Sequence, residues 1–337
     1  MHEAWVVAEG FRTGTICKGA SLIQRNSLLF LGVFMVRFSV IIPCFNVEQF
    51  IAFTLESIDT QTLHPYEIIV VDDGSTDGGL DIIKNSPVSV RILQTSRQGG
   101  AGARNVGIRE ATGDWLAFLD ADDMWYPNHL ASAAKFIERY DPVGYINHYD
   151  HMTMDNEIVI RPNTREDSVV IGSGLDEYLN HFRKYRHFVG MSACMVNRDR
   201  ALAVGGLDED QVRRHDIEFW FRVIDGQRWI FDSATTSAYR KNRPDSLSEN
   251  FAEASYYGFQ AFFKHKEKFS DRLVYGKLLQ KRARSALTNS LMTGDLHLID
   301  RAYTTAFEHL NLRHKFVIKF LYRYPAATRT FRSLRLI

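Results

Sequence analysis

Residues 66–75 read YEIIVVDDGS: four β-branched residues from Ile68 to Val71, then two carboxylates, a glycine and a hydroxyl. An apolar run with no polar alternation is the pattern of a strand covered on both faces. Its end in Asp72, Asp73, Gly74 and Ser75 marks a turn into a helix, because Gly and Ser are turn and cap residues. The same pattern recurs on either side. Upstream, FSVIIP at 38–43 is another buried strand, and residues 47–61 set Phe50, Ile51, Leu55 and Ile58 at helical spacing. Downstream come a short helix over 77–84, a strand over 88–94, the glycine-rich SRQGGAGARN opening a helix to about 111, and a strand over 114–119 ending in DADD at 120–123. Strands alternating with helices predict βαβ crossovers and a mainly parallel, Rossmann-like α/β sheet flanked by helices.

The polar residues gather where such a sheet binds ligands, at the carboxyl ends of its strands. Asn46 follows the first strand, Asp72 and Asp73 the second, and Asp120 and Asp122 the fourth. Beyond about residue 150 the spacing predicts a hairpin over 143–160, helices over 176–185 and 216–225, strands over 190–197 and 228–240, and three consecutive helices between 251 and 310. We therefore expect an extension over 1–34, a catalytic domain over 35–250 and a helical C-terminal region over 251–337.

Of 337 residues, 45% are hydrophobic and 24% charged, which excludes wholesale disorder, a collagen-like repeat and a polytopic membrane protein. A net charge of +1 gives no global pointer to nucleic acid. Cys17, Cys44 and Cys194 lack metal-ligand spacing and suit a reducing, cytoplasmic compartment. The longest apolar run, SLLFLGVFMV at 27–36, is about half the ~18 residues that a membrane span needs. Met35, directly before the first strand, is the expected true start.

The charge is nonetheless uneven. After Glu308 no acidic residue occurs, while Arg313, Lys315, Lys319, Arg323, Arg329, Arg332 and Arg335 alternate with Phe316, Phe320, Phe331 and other apolar residues. Residues 311–337 read either as a contact with an anionic membrane surface or as a terminal helix docked on its own domain with a solvated basic side.

Four segments carry candidate chemistry. Asp120 and Asp122 suit a hard divalent cation, Mg²⁺ or Mn²⁺, completed by phosphate oxygens and water, or else a capped, solvated turn. Asp72 and Asp73 can accept hydrogen bonds from a base or ribose. Gly99, Gly100 and Gly102 let a ligand approach the backbone, and Arg104 adds a cation. Asp216, in RRHDIEFWFR at 213–222, stands at a helix start beside His215, as a general base or an N-cap. Neither GxGxxG after the first strand nor GxxxxGK[ST] is present, which removes the dehydrogenase and P-loop readings.

Taken in order, SVIIPCFN, EIIVVDDGSTD, GGAGARNVGI, GDWLAFLDADD and HDIEFWFR resemble the family 2 glycosyltransferases of GT-A fold, over roughly residues 37–245. The resemblance implies inverting transfer of a sugar from a nucleotide-diphosphate donor. Pro43, Asn46, Asp72, Asp73, Gly99, Arg104 and Asp120 would then hold the donor, Asp120 and Asp122 a Mn²⁺ or Mg²⁺, and Asp216 the acceptor proton. His215 replaces the usual Glu before that base, and the QxxRW motif of processive synthases is missing, which implies one or few sugars per encounter. Arg240 and Arg243 are candidates for a lid over the diphosphate, or for a solvated loop. A glycan or lipid-linked acceptor for cell-surface polysaccharide synthesis, met at the inner face of the plasma membrane, fits this reading, with the 251–310 helices docking the acceptor or forming a homodimer. The rivals are a sugar nucleotidyltransferase and an inactive sugar-binding protein on a membrane surface.

Overall fold

The computed structural model describes residues 35–160, 169–185, 190–241 and 250–324; the expected extension over 1–34 and Arg243 lie outside them. The first half follows the predicted alternation: β1 (Phe38–Cys44), α1 (Ile51–Asp59), β2 (Glu67–Asp72), α2 (Gly79–Lys84), β3 (Arg91–Gln94), α3 (Gly99–Glu110) and β4 (Trp115–Phe118). β1 runs parallel to both β2 and β4, and β2 parallel to β3. Next come β5 (Met124–Trp125), α4 (His129–Tyr140), β6 (Gly144–Met152), β7 (Ile158–Val159), β8 (Val169–Ser173), α5 (Gly174–Tyr185), β9 (Cys194–Asn197), α6 (Arg198–Ala203), α7 (His215–Ile224) and β10 (Arg228–Arg240). Four helices close the described chain: α8 (Phe251–Phe263), α9 (Leu273–Thr293), α10 (Leu296–Ala306) and α11 (Leu312–Arg323).

The main path of the sheet is β3-β2-β1-β4-β9-β6-β10-β5. β9 pairs antiparallel with β4 on one side and with β6 on the other. Two reversals cancel, so β6 runs parallel to β4, and β10 runs parallel to β6. The carboxyl ends of β1, β2, β4, β6 and β10 therefore share one edge. The expected hairpin over 143–160 is β6 with β7, His151 opposite Val159.

Side chains alternate across each strand, and both faces are covered. On β1, Phe38, Val40 and Ile42 pack with Leu55 of α1 and Ile137 of α4. Ile41 points the other way, into a layer that holds Ile108 of α3, Phe219 of α7, Phe259 of α8 and Leu287 of α9. Gly144 is required where β6 meets α7, since a Cβ there would lie 2.4 Å from Trp220 Cζ3. On α11, Ile318 and Leu321 are fully buried, each contributing about 1.5–3 kcal/mol of docking. The helix is thus packed on its own chain through one side, as one of the two expected readings requires.

Charge also fastens α7 to the C-terminal helices. The buried Glu218 carboxylate accepts from Arg222 Nε (2.7 Å) and Nη2 (2.6 Å) and lies 2.8 Å from His265 Nε2. Burial alone would raise this carboxyl, but the bonds and charges of His265 and Arg222 outweigh it and bring it down to about 2. The folded value lies below the ordinary 4.5, so the stabilisation is present above about pH 4.5 and is lost as pH falls toward 2. At neutral pH it is of order 3 kcal/mol. Glu218→Gln should therefore flatten the acid limb of stability between about pH 5 and 2. Urea midpoints collected across that window decide, and equal slopes for variant and wild type would refute the assignment.

Candidate functional site

Three loops at the common sheet edge are sewn together by side-chain bonds to backbone. Asn46 follows β1 with φ 49°. Its Oδ1 accepts from Thr76 N (2.8 Å), and its own N–H donates to Ser75 Oγ (3.1 Å). Asp72 and Asp73, at the end of β2, are both buried. Asp72 Oδ1 accepts from Ser75 N (3.1 Å) and so closes its own turn. Asp73 reaches to the next segment: Oδ1 accepts from Thr95 Oγ1 and Gln98 N and Oδ2 from Gly99 N, each at 2.7 Å. Gly99 starts α3 at φ 75°, a left-handed backbone that favours glycine. Asp73 therefore anchors the glycine-rich entry to α3, and Pro43 lies half-buried in β1 opposite Val71 of β2.

The acidic loop after β4 is braced from several directions. Thr54 Oγ1 of α1 donates to the carbonyls of Ala121 (3.0 Å) and Asp123 (2.8 Å). Ser192 Oγ donates to Asp123 Oδ2 (2.5 Å) and accepts from Asp120 N (3.0 Å). Arg240, at the end of β10, donates from its backbone N to Asp123 Oδ1 (2.8 Å) and from Nε to the Asp122 carbonyl (2.9 Å). Its Nη1 reaches Thr153 O (2.6 Å), and the guanidinium stacks 4.7 Å over Phe50. A lid would have to give up these bonds; the buried Arg240 positions the acidic loop from within. Burial, then the charges of Asp122 and Asp120, push the Asp123 carboxyl well above the ordinary carboxylate range. Asp120 and Asp122 hold the half-buried positions of this loop, with Arg104 bonded to Asp120 and Arg240 set against the Asp122 backbone.

Arg104 connects this loop to the start of α7. Its Nη2 bonds Asp120 Oδ1, while Nη1 donates to the Gly100 carbonyl (2.9 Å) and lies 3.2 Å from His215 Nε2. An arginine can only donate, so His215 accepts through Nε2 and is neutral with its proton on Nδ1. Burial and then the Arg104 charge lower the His215 pKa, in agreement. Asp216, the next residue, is half-buried in the first turn of α7, where a carboxylate is favoured by the helix dipole. From the C-terminal helices Arg282 enters the same field: burial and Arg214 lower it to about 10, against the opposing pull of Asp216. Non-glycine residues in the left-handed region, Asn46, Arg97 and Arg214, also occur in these loops.

The structure thus brings Arg104, Asp120 and the His215–Asp216 pair together, and sets Asn46, Asp72, Asp73 and Gly99 in the adjoining loops. Sequence reasoning missed Ser192 and Arg282, which belong to no motif, and passed over Asp123 as the third acid of DADD. Among the described residues no group of three or more His, Cys, Asp or Glu side chains forms a ready metal cage, so Asp120 and Asp122 would need oxygen ligands from elsewhere.

Residues 39–205 match the model of the family described as Glycosyl transferase family 2. An uncharacterized glycosyltransferase of Nostoc sp. is 35% identical over 41% of this chain and 47% of its own length. The amylovoran biosynthesis glycosyltransferase AmsB of Erwinia amylovora is 29% identical over 56% of this chain and 64% of its own. The chain therefore spans between about half and just under two thirds of these relatives. Among solved structures, S. aureus TarS 1-349 in complex with UDP-GlcNAc superposes with a TM-score of 0.65 over 87% of each chain at 17% identity. That likeness establishes the fold as GT-A, with a mostly parallel sheet and C-terminal helices.

If Asp73 anchors the glycine-rich entry, Asp73→Ala leaves the amides of Gln98 and Gly99 without acceptors, at about 1–3 kcal/mol. Hydrogen exchange at those two amides should accelerate and the thermal midpoint fall; unchanged exchange would remove the anchor role.

Proposed function

This chain belongs to glycosyl transferase family 2 through residues 39–205, and on that premise we propose that it moves a sugar from a nucleotide-diphosphate donor to an acceptor hydroxyl, with inversion. The observation that carries the proposal is the reach of Arg104, which ties Asp120 in the acidic loop to His215, next to Asp216. A donor held at the loop and a hydroxyl held at the helix start would then meet across one side chain.

Pro43, Asn46, Asp72, Asp73 and Gly99 form the loops for the nucleoside. TarS complexed with UDP-GlcNAc is a fold neighbour in keeping with such a donor. The carboxylates of Asp120 and Asp122 are hard oxygen donors two residues apart in one loop, a donor set that suits Mn²⁺ or Mg²⁺. When bound, the ion supplies neutralisation of the charge that develops on the departing diphosphate. Arg104 keeps Asp120 oriented and adds positive charge. Asp216 accepts the proton of the acceptor hydroxyl as the new glycosidic bond forms, and inversion requires it opposite the leaving group. The neutral His215 fixes Arg104 without competing for that proton. The acceptor is a glycan or lipid-linked glycan, and the name of AmsB is in keeping with polysaccharide synthesis. Contact of residues 311–337 with an anionic membrane face completes the reading.

Purified protein, Mn²⁺ and a panel of nucleotide sugars should release nucleoside diphosphate; release of pyrophosphate would transfer the chain to the nucleotidyltransferases. Asp122→Ala should abolish metal-dependent donor binding in a calorimetric titration. Asp216→Asn should leave donor affinity intact and lower turnover by about 10²-fold or more. Full turnover in that variant would dismiss Asp216 as the base.

A further inference from the structure

Helices α9 and α11 pack on each other, and neither contains an acidic residue. α9 carries Lys277, Lys281, Arg282 and Arg284, and α11 carries Arg313, Lys315, Lys319 and Arg323. Where they meet lies a groove of about 220 Å³ lined by Lys277, Gln280, Lys281, Arg284, Asn311 and His314. The four α9 residues stand at i, i+3, i+4 and i+7, which is one helix face.

The groove wall is built. Asn311 caps α11 by accepting from His314 N (3.0 Å), and its Oδ1 lies 2.7 Å from His314 Nδ1. Arg284 Nη1 lies 3.1 Å from His314 Nε2. Arginine only donates, so the ring is neutral, donates through Nδ1 and accepts through Nε2. Arg284 is therefore held in place by a partner that leaves its charge uncancelled. Lys315, by contrast, is paired with Glu308 at 2.6 Å.

The outer side of α11 is apolar as well as basic. Leu312 (87% exposed), Phe316 (79%) and Phe320 recur every fourth residue opposite the buried Ile318 and Leu321. Lys319 and Arg323 share that side. A soluble phosphate would be served by the groove alone; a groove of cations whose lining residue Asn311 adjoins Leu312, the first residue of the exposed apolar stripe, matches a surface with charged heads and apolar tails.

We propose that the α9–α11 groove binds the phosphate of an anionic membrane lipid, with Leu312, Phe316 and Phe320 entering the headgroup–acyl boundary. This deepens the membrane part of the proposed function by assigning a headgroup site whose lysines lie on α9, outside residues 311–337, with Asn311 and His314 as its other wall, and it does not depend on sugar transfer. Each cation at an anionic surface is worth about fivefold in partitioning.

The test is flotation of the full chain with vesicles of phosphatidylglycerol and phosphatidylcholine, against phosphatidylcholine alone. Wild type should bind the anionic vesicles and release them as salt rises. Lys277→Gln/Lys281→Gln should partition roughly 25-fold more weakly, Lys277→Arg/Lys281→Arg should bind like wild type, and Phe316→Ser should lose affinity at every salt concentration. Donor binding by the same variants, measured separately, reports on the transferase reading alone. Wild-type partitioning by the Gln variant would overturn the proposal. So would a wild type indifferent to phosphatidylglycerol, capture of inorganic phosphate without vesicles, or concentration-dependent self-association in their place.

Discussion

The Arg104 guanidinium is buried, and a buried cation is costly unless its charge is paired; Nη1 and Nη2 find partners, while Nε has none. Here the matching groups come from three separate elements: the Gly100 carbonyl one helical turn back, the Asp120 carboxylate after β4, and the neutral His215 ring at the start of α7. The Nη1 and Nη2 contacts of one side chain therefore tie together the glycine-rich entry, the acidic loop and the helix that carries Asp216. The parallel arrangement of β1, β2 and β4 brings the loops to one edge, and Arg104 then sets their spacing. A lysine would keep the charge but could not span three partners in one plane.

Much of this was legible in the chain. β1 and β2 announce themselves because doubly covered strands need unbroken apolar, β-branched runs, and the acidic ends of β2 and β4 stand out against the apolar residues before them. Asn46, Asp72, Asp73, Asp120 and Asp122 could be set on one edge from strand direction alone. The helices from 251 to 310 were equally readable, since apolar residues at helical spacing persist there. The insertion of β9 between β4 and β6 was not readable: a strand of Cys194–Asn197 is too short to declare its partner or its direction. The brace of Ser192 and Arg240 on the acidic loop was hidden for a related reason. Its bonds join residues far apart in sequence, and serine and arginine recur too widely to mark a site. Arg282 likewise lies in an ordinary basic stretch of α9.

The C-terminal helices are part of the same apolar layer as one face of the sheet, from Ile41 to Leu321. Glu218 of α7 binds His265 beyond α8, and Arg282 reaches the field of Asp216. Helices outside the family match thus pack against α7 and bring the Arg282 cation near the candidate base, a placement that motif comparison cannot register.

The brace on the acidic loop also imposes an order on biosynthesis. Asp120, Asp122 and Asp123 leave the ribosome early, within the segment that matches the family, whereas Arg240 follows more than a hundred residues later, at the end of the strand that completes the sheet. A nascent chain that ends at 205 already possesses its carboxylates and the Thr54 and Ser192 bonds to their loop, yet lacks Arg240, and β5 has no β10 to pair with. The acidic loop therefore gains its last brace only when β10 has been made, so the order of its bonds follows the order of synthesis.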